Sequence, residues 1–277
     1  MMVIGKLSQL LQLKSRIMEI YQNFIRASLL TLSLGLLLVG FGFWFRADWA
    51  LGLWPWPDGP LSYLFIASIV LAEGSTMAWT AASLKLHAAR GGALGFAAMN
   101  LGIAGYTFWL YSQRQELLLL NWTIVCGLLG IGSFILFMIG GKYPHINNPT
   151  TPLFVRQSFL IFAVALFIAT AMLLMRAPVV FPWPLKPDSS TMFGFLFLAS
   201  AVYFFDGWLR PSLANSYGQL IGFLVYDLVL IPPYLRHWQK AAGGFRVSLV
   251  IYLIVLVWSA TLAMWFLWKY CVRQRHQ

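Results

Sequence analysis

Residues 26–57 read Arg26-Ala-Ser-Leu-Leu-Thr-Leu-Ser-Leu-Gly-Leu-Leu-Leu-Val-Gly-Phe-Gly-Phe-Trp-Phe-Arg46-Ala-Asp-Trp-Ala-Leu-Gly-Leu-Trp54-Pro-Trp56-Pro57. Nineteen uncharged residues separate the two arginines. Coiled as a helix at 1.5 Å per residue they cover about 29 Å, the thickness of a bilayer's hydrocarbon core. A continuous apolar run of this length satisfies its backbone only as a helix, because lipid offers no hydrogen bonds. The Pro-Trp-Pro that follows cannot continue a helix, and its tryptophan suits the headgroup layer.

The pattern recurs. Arg156-Gln-Ser158 opens a second such run and Arg176-Ala177 closes it at the same spacing of 20, followed by Phe181-Pro182-Trp183-Pro184. Further along, Leu64-Phe65-Ile66-Ala67-Ser68 matches Leu196-Phe197-Leu198-Ala199-Ser200, Glu73-Gly74 matches Asp206-Gly207, and Gly95-Phe96 matches Gly222-Phe223. Lys142-Tyr143 and Lys269-Tyr270 end the two series, with offsets between 127 and 133. Repeated order of this kind points to duplication. The expected fold is all-α and integral to the membrane, with about eight transmembrane helices as two tandem parallel four-helix repeats, 26–143 and 156–270. Four spans per copy is an even number, so both copies enter the membrane from one side, and a pseudo-two-fold axis would run along its normal.

Composition agrees. Of 277 residues 60% are hydrophobic and only 27 are charged, too few to cover a soluble domain of this length. Mean hydropathy is +0.75. Eight apolar runs lie near 26–45, 61–83, 93–113, 122–142, 157–177, 191–210, 219–235 and 248–269. The net charge of +11 is scattered over helix ends rather than gathered in a patch, which argues for topology and against nucleic acid. With the N-terminus inside, twelve basic residues fall in inner segments and seven in outer ones, favouring cytoplasmic termini. Residues 1–25 mix Leu7, Leu10, Leu11 and Ile17 with Lys6, Lys14 and Arg16, and read as an amphipathic interfacial helix lying on the inner leaflet. The segment 144–155, rich in proline and asparagine, is the expected linker, and 271–277 a short basic tail.

The loop Pro182-Trp183-Pro184-Leu185-Lys186-Pro187 resembles a signature of uncharacterised bacterial multi-pass membrane proteins with a Pro-Trp-Pro-Leu type loop. The resemblance covers one short segment and implies the bacterial cytoplasmic (inner) membrane, with no activity attached.

Ionisable groups within spans are costly and therefore candidate sites. Glu73, Asp206 and Asp227 qualify, with Asn100 as the neutral counterpart of Asp227 and Arg210 four residues after Asp206, on the same helix face. One reading gathers Glu73, Asn100, Asp206 and Asp227 at the repeat interface as a site for a proton, cation or polar headgroup. The other makes them structural, with Asp206 and Arg210 a local ion pair and Glu73 bonded to nearby hydroxyls. Trp54, Trp56 and Trp183 are expected in an outer interfacial aromatic belt. The chain lacks G-x-S-x-G, H-E-x-x-H, a P-loop and a dinucleotide fingerprint. Its four histidines fall in loops or the tail, so no metal site is expected and no cofactor, though haem or chlorin with other ligands stays open. Cys126 and Cys271 lie at opposite membrane faces and form no disulfide framework.

Two functions follow. One is an accessory or scaffold subunit of a membrane assembly, without catalysis, whose partners are the bilayer and other membrane subunits. The other is a small permease using the intramembrane acids. An intramembrane enzyme is the least favoured.

Overall fold

The computed structural model describes residues 2–56, 58–83, 85–141 and 149–274. Pro57, Lys142, Tyr143, the first part of the expected linker (144–148) and the tail residues 275–277 lie outside the described residues. The chain is helical, with no strand among the described residues: α1 Met2–Trp44, the short α2 Asp48–Leu51, α3 Pro60–Ser83, α4 Ala89–Arg114, α5 Leu117–Gly140, α6 Leu153–Leu174, α7 Pro187–Leu209, α8 Leu213–His237 and α9 Gly244–Gln274. A single 3-10 turn, Leu86–Ala88, leads into α4. Eight of these helices are long and apolar enough to cross a membrane.

Local chemistry sets the helix ends. After α1, Arg46 takes a left-handed conformation (φ 54°), and after α6 Arg176 does the same (φ 56°). In both places the next amide turns back five residues, Ala47 N–H to the Gly42 carbonyl at 2.9 Å and Ala177 N–H to the Met172 carbonyl at 2.8 Å. This is the Schellman ending, here built on arginine where glycine is usual. Pro60 and Pro187 then open α3 and α7, where a missing amide proton costs nothing.

The segment expected as an interfacial helix is helical from Met2 and joins the first span without a break, within α1. Pro232 and Pro233 lie inside α8, which runs on to His237. Each proline removes one helical hydrogen bond, and Tyr234 and Leu230, both fully buried, pack the same stretch against its neighbours.

The helices form two layers. One runs α1–α3–α8–α9 and the other α5–α4–α7–α6, each step being a packed neighbour pair. The central helices of each layer approach through small residues. A Cβ on Gly95 of α4 would collide with the Ala199 carbonyl of α7, and a Cβ on Gly222 of α8 would lie 2.7 Å from the Thr76 hydroxyl oxygen of α3. The Thr76 hydroxyl also donates to the Gly218 carbonyl at 3.1 Å. Such contacts let backbones meet where lipid removes the hydrophobic drive between helices.

The side holding the first residues of α1 and the last of α9 is here the terminal side, and the opposite one the distal side. On the distal side the layers join through aromatic rings: Phe65 lies 4.7 Å from Phe181 and 4.8 Å from Phe193, and Trp183 donates to Ser62 at 2.9 Å. On the terminal side two smaller clusters tie α1 to α5 (Ile25, Leu29, Leu136, Ile139) and α6 to α9 (Val155, Phe159, Leu262, Phe266).

Gly95→Ala is expected to destabilise the protein by about 1–3 kcal/mol, because the added methyl meets backbone that cannot yield. Gly105→Ala, where nothing lies within 4 Å, should be neutral or slightly stabilising. Thermal unfolding of the two variants side by side in detergent checks this.

Candidate functional site

Between the two layers lies a chamber of about 1580 Å³. Its walls come from every long helix and are overwhelmingly aliphatic and aromatic. Glu73 is the only Asp, Glu, Lys, Arg or His among its lining residues. Several lining side chains are also exposed on the flanks: Leu32 and Ile135 beside α1 and α5, Ile161 and Ile254 beside α6 and α9. The chamber therefore opens sideways, towards the apolar surroundings of the helices, on both flanks. Towards its centre it is bounded distally by the rings of Phe197, Tyr226 and Tyr252, which back onto the Phe65–Phe181 cluster, while along the α6–α9 flank it continues to Val179, Val180 and Gly244.

The sequence-predicted polar residues do not meet. Glu73 lines the chamber and has no hydrogen bond or ion pair among the described residues; the expected bond to a nearby hydroxyl is not made. Asn100, 3% exposed, spends its amide on the Phe96 carbonyl of its own helix at 2.9 Å. Asp227, fully buried, accepts from Ser259 at 2.9 Å through one oxygen, while the other has no partner. Neither Asn100 nor Asp227 is part of the chamber wall. Asp206 pairs with Arg210 on the terminal side, in a small polar nest with His87, Arg90, Ser212 and Asn215 around a space of about 10 Å³. Burial, and then the like charge of Arg90, hold the Arg210 guanidinium below its ordinary pKa. Gly91 is required here, since a Cβ would strike the Asp206 carboxylate.

Helix register also separates Glu73 from Asp206. Glu73 lies 13 residues after Pro60, and Asp206 lies 19 after Pro187. At 1.5 Å per residue they differ in depth by about 9 Å. The residue in register with Glu73 is Ser200, which also lines the chamber. The match of Glu73-Gly74 to Asp206-Gly207 needs a gap that two continuous helices do not contain.

The tryptophans expected in the outer belt are core residues. Trp54, Trp56 and Trp183 are 7%, 6% and 7% exposed. Trp54 stacks edge-on to Trp56 at 5.2 Å and donates to Asp58 at 3.0 Å. Each loop brings its tryptophans back over the bundle, so these rings fill the seam between layers, while Trp49 and Trp109, 51% and 52% exposed, keep belt-like positions.

A polar lock on the distal side was not legible in the sequence. Asp188 accepts from Arg114 at 2.7 Å and from the Tyr106 hydroxyl at 2.7 Å, with Arg176 4.0 Å away. Asp58 accepts from Ser189 at 2.6 Å. Arg114 and Arg176 counted only as topology charges, and Asp188 sits in the first turn of α7, where an acid is ordinary. Gln219 was also missed: it is 1% exposed, lines the chamber, donates to the Tyr203 carbonyl at 2.6 Å and leaves its own oxygen unpartnered.

Eight apolar spans in two layers are the architecture of a multi-pass membrane protein, and its main internal feature is a laterally open apolar chamber. No family model matches the chain, and no curated protein or solved structure is detectably similar to it.

Asp188→Ala should cost about 1–3 kcal/mol by releasing charged partners from α4 and the α6 end together. Arg114→Gln added to it should cost little more, because the two share one interaction. Chemical unfolding of the single and double variants checks the coupling.

Proposed function

We propose that this chain is a non-catalytic membrane protein that holds a lipid-like molecule within the bilayer, acting as a subunit that presents or passes on that molecule in a larger membrane assembly. The observation that carries this reading is the apolar chamber of about 1580 Å³ opening sideways between α1 and α5 and between α6 and α9. Its volume and lining suit an acyl or isoprenoid chain, and its entrances face the phase in which such a molecule is dissolved. The short connections between helices leave no extramembrane domain among the described residues to carry a separate activity.

The permease reading has less support. It needs paired acids along an axis, and these acids do not bond to one another: Asp206 pairs with Arg210 and Asp227 with Ser259, with the aromatic seam on the distal side. Its remaining foothold is Glu73 alone.

Within this proposal the protein is two parallel four-helix halves. Exchanging α1, α3, α4 and α5 for α6, α7, α8 and α9 turns the pair α3–α8 into α7–α4, and the α1–α5 flank into the α6–α9 flank. The shared left-handed arginine endings and the prolines opening α3 and α7 support the same duplication. The proposed setting is the bacterial inner membrane with both termini cytoplasmic, as the distribution of basic residues favours.

Gly132 lines the chamber and has nothing within 4 Å of a would-be Cβ, so Gly132→Trp should fill that lobe without disturbing the packed helices. Mass spectrometry of organic extracts from purified protein is expected to find a lipid at near-stoichiometric level in the wild type and little in Gly132→Trp. Equal lipid content in both, at the level of the detergent-solubilised background, would count against the reading.

A further inference from the structure

The chamber's polar groups are unequal in what they have left to offer. The hydroxyls of Ser133 and Ser200 are bound to carbonyls of their own helices, Leu129 and Leu196. Thr76 is committed to Gly218. The Gln219 amide hydrogen goes to Tyr203, leaving a buried oxygen with no donor. Glu73 adds two carboxylate oxygens with no partner, and no Lys, Arg or His lines the chamber to answer them. The lining hydroxyls of Tyr203, Tyr226 and Tyr252 can donate or accept, so the unanswered charge capacity of the walls is for positive charge, at Glu73.

Position sharpens the point. Thr76 sits against Gly218 and Gly222, so Glu73 is about one turn further towards the distal side, beside the middle of α8. It lies about 20 Å along α3 from Pro60, far from either headgroup layer. A carboxylate kept in apolar surroundings is costly unless paired, and a cation brought there meets the same penalty. Each relieves the other, so the chamber discriminates by charge as well as by apolarity.

We propose that the molecule held in the chamber is a lipophilic amine: an apolar body that fills the space between the layers and a protonated nitrogen that pairs with Glu73. This rests on the chamber reading above and adds the class of head group. An uncharged lipid would fit the walls and leave Glu73 unanswered; an anionic one would meet a like charge.

The test uses full-length protein in a non-ionic detergent and native mass spectrometry with dodecylamine, 1-dodecanol and dodecanoate as probes at equal concentration. The wild type is expected to bind dodecylamine at least about tenfold more tightly than dodecanol, and dodecanoate least. Glu73→Gln should lose that preference while still binding dodecanol, which also shows that the variant is folded. Gly132→Trp should weaken all three. Equal binding of amine and alcohol by the wild type, or an amine preference that survives Glu73→Gln, overturns the amine proposal and leaves the chamber reading standing. Failure of every probe to bind the wild type overturns both.

Discussion

Backbone contact at Gly95 holds α4 against the Ala199 carbonyl of α7, and the rest of the structure depends on it and on its partner contact, Thr76 of α3 against Gly218 and Gly222 of α8. In lipid, apolar side chains gain nothing by leaving the surroundings for a helix interface. Association then depends on close van der Waals approach and on hydrogen bonds that only small residues allow. These two contacts decide that the second and third spans do not pack chiefly on each other. Each packs on the span from the other half of the chain, and two interleaved layers result.

The layers in turn create the chamber. Their central helices are held within a layer, and between layers the contact is made mainly by large rings on the distal side and small apolar clusters on the terminal side. The stretch between is lined by Ala, Gly, Leu and Phe and left unfilled. Polar locks sit at the two ends, Asp188 with Arg114 and Tyr106 distally and Asp206 with Arg210 on the terminal side. The charged residues thus brace the frame, and Glu73 alone among them faces the interior space.

Much of this was legible in the chain. Apolar runs of about twenty residues announce helices: Arg156 and Arg176 mark both ends of α6 to within a few residues, and Arg46 marks the end of α1, whose start at Met2 lies far ahead of Arg26. Asp206–Arg210 was readable from a spacing of four on one helix face. What the chain could not reveal is which helix faces which. Glu73 and Asp227 look alike as isolated acids in apolar spans, yet one faces a space and the other a serine of α9. Trp54, Trp56 and Trp183 looked like a belt because Pro-Trp-Pro ends helices; that the loops fold inward depends on Ser62 and Phe193, each contributed by the other half of the chain to the ring it meets. Asp188 was passed over because its three partners come from distant positions.

The interleaving of the layers is the claim from which the chamber and its carboxylate follow, and disulfide trapping in native membranes tests it most directly. In a chain with Cys126 and Cys271 replaced by serine, Thr76→Cys with Gly222→Cys should cross-link readily under mild oxidation, since a Cβ at 222 lies within 3 Å of the Thr76 side chain. Thr76→Cys with Gly92→Cys should not, because no α3 atom comes within 4 Å of a Cβ at 92. Efficient cross-linking of the second pair and none of the first would mean that α3 packs on α4 within its own half, which contradicts the interleaved arrangement.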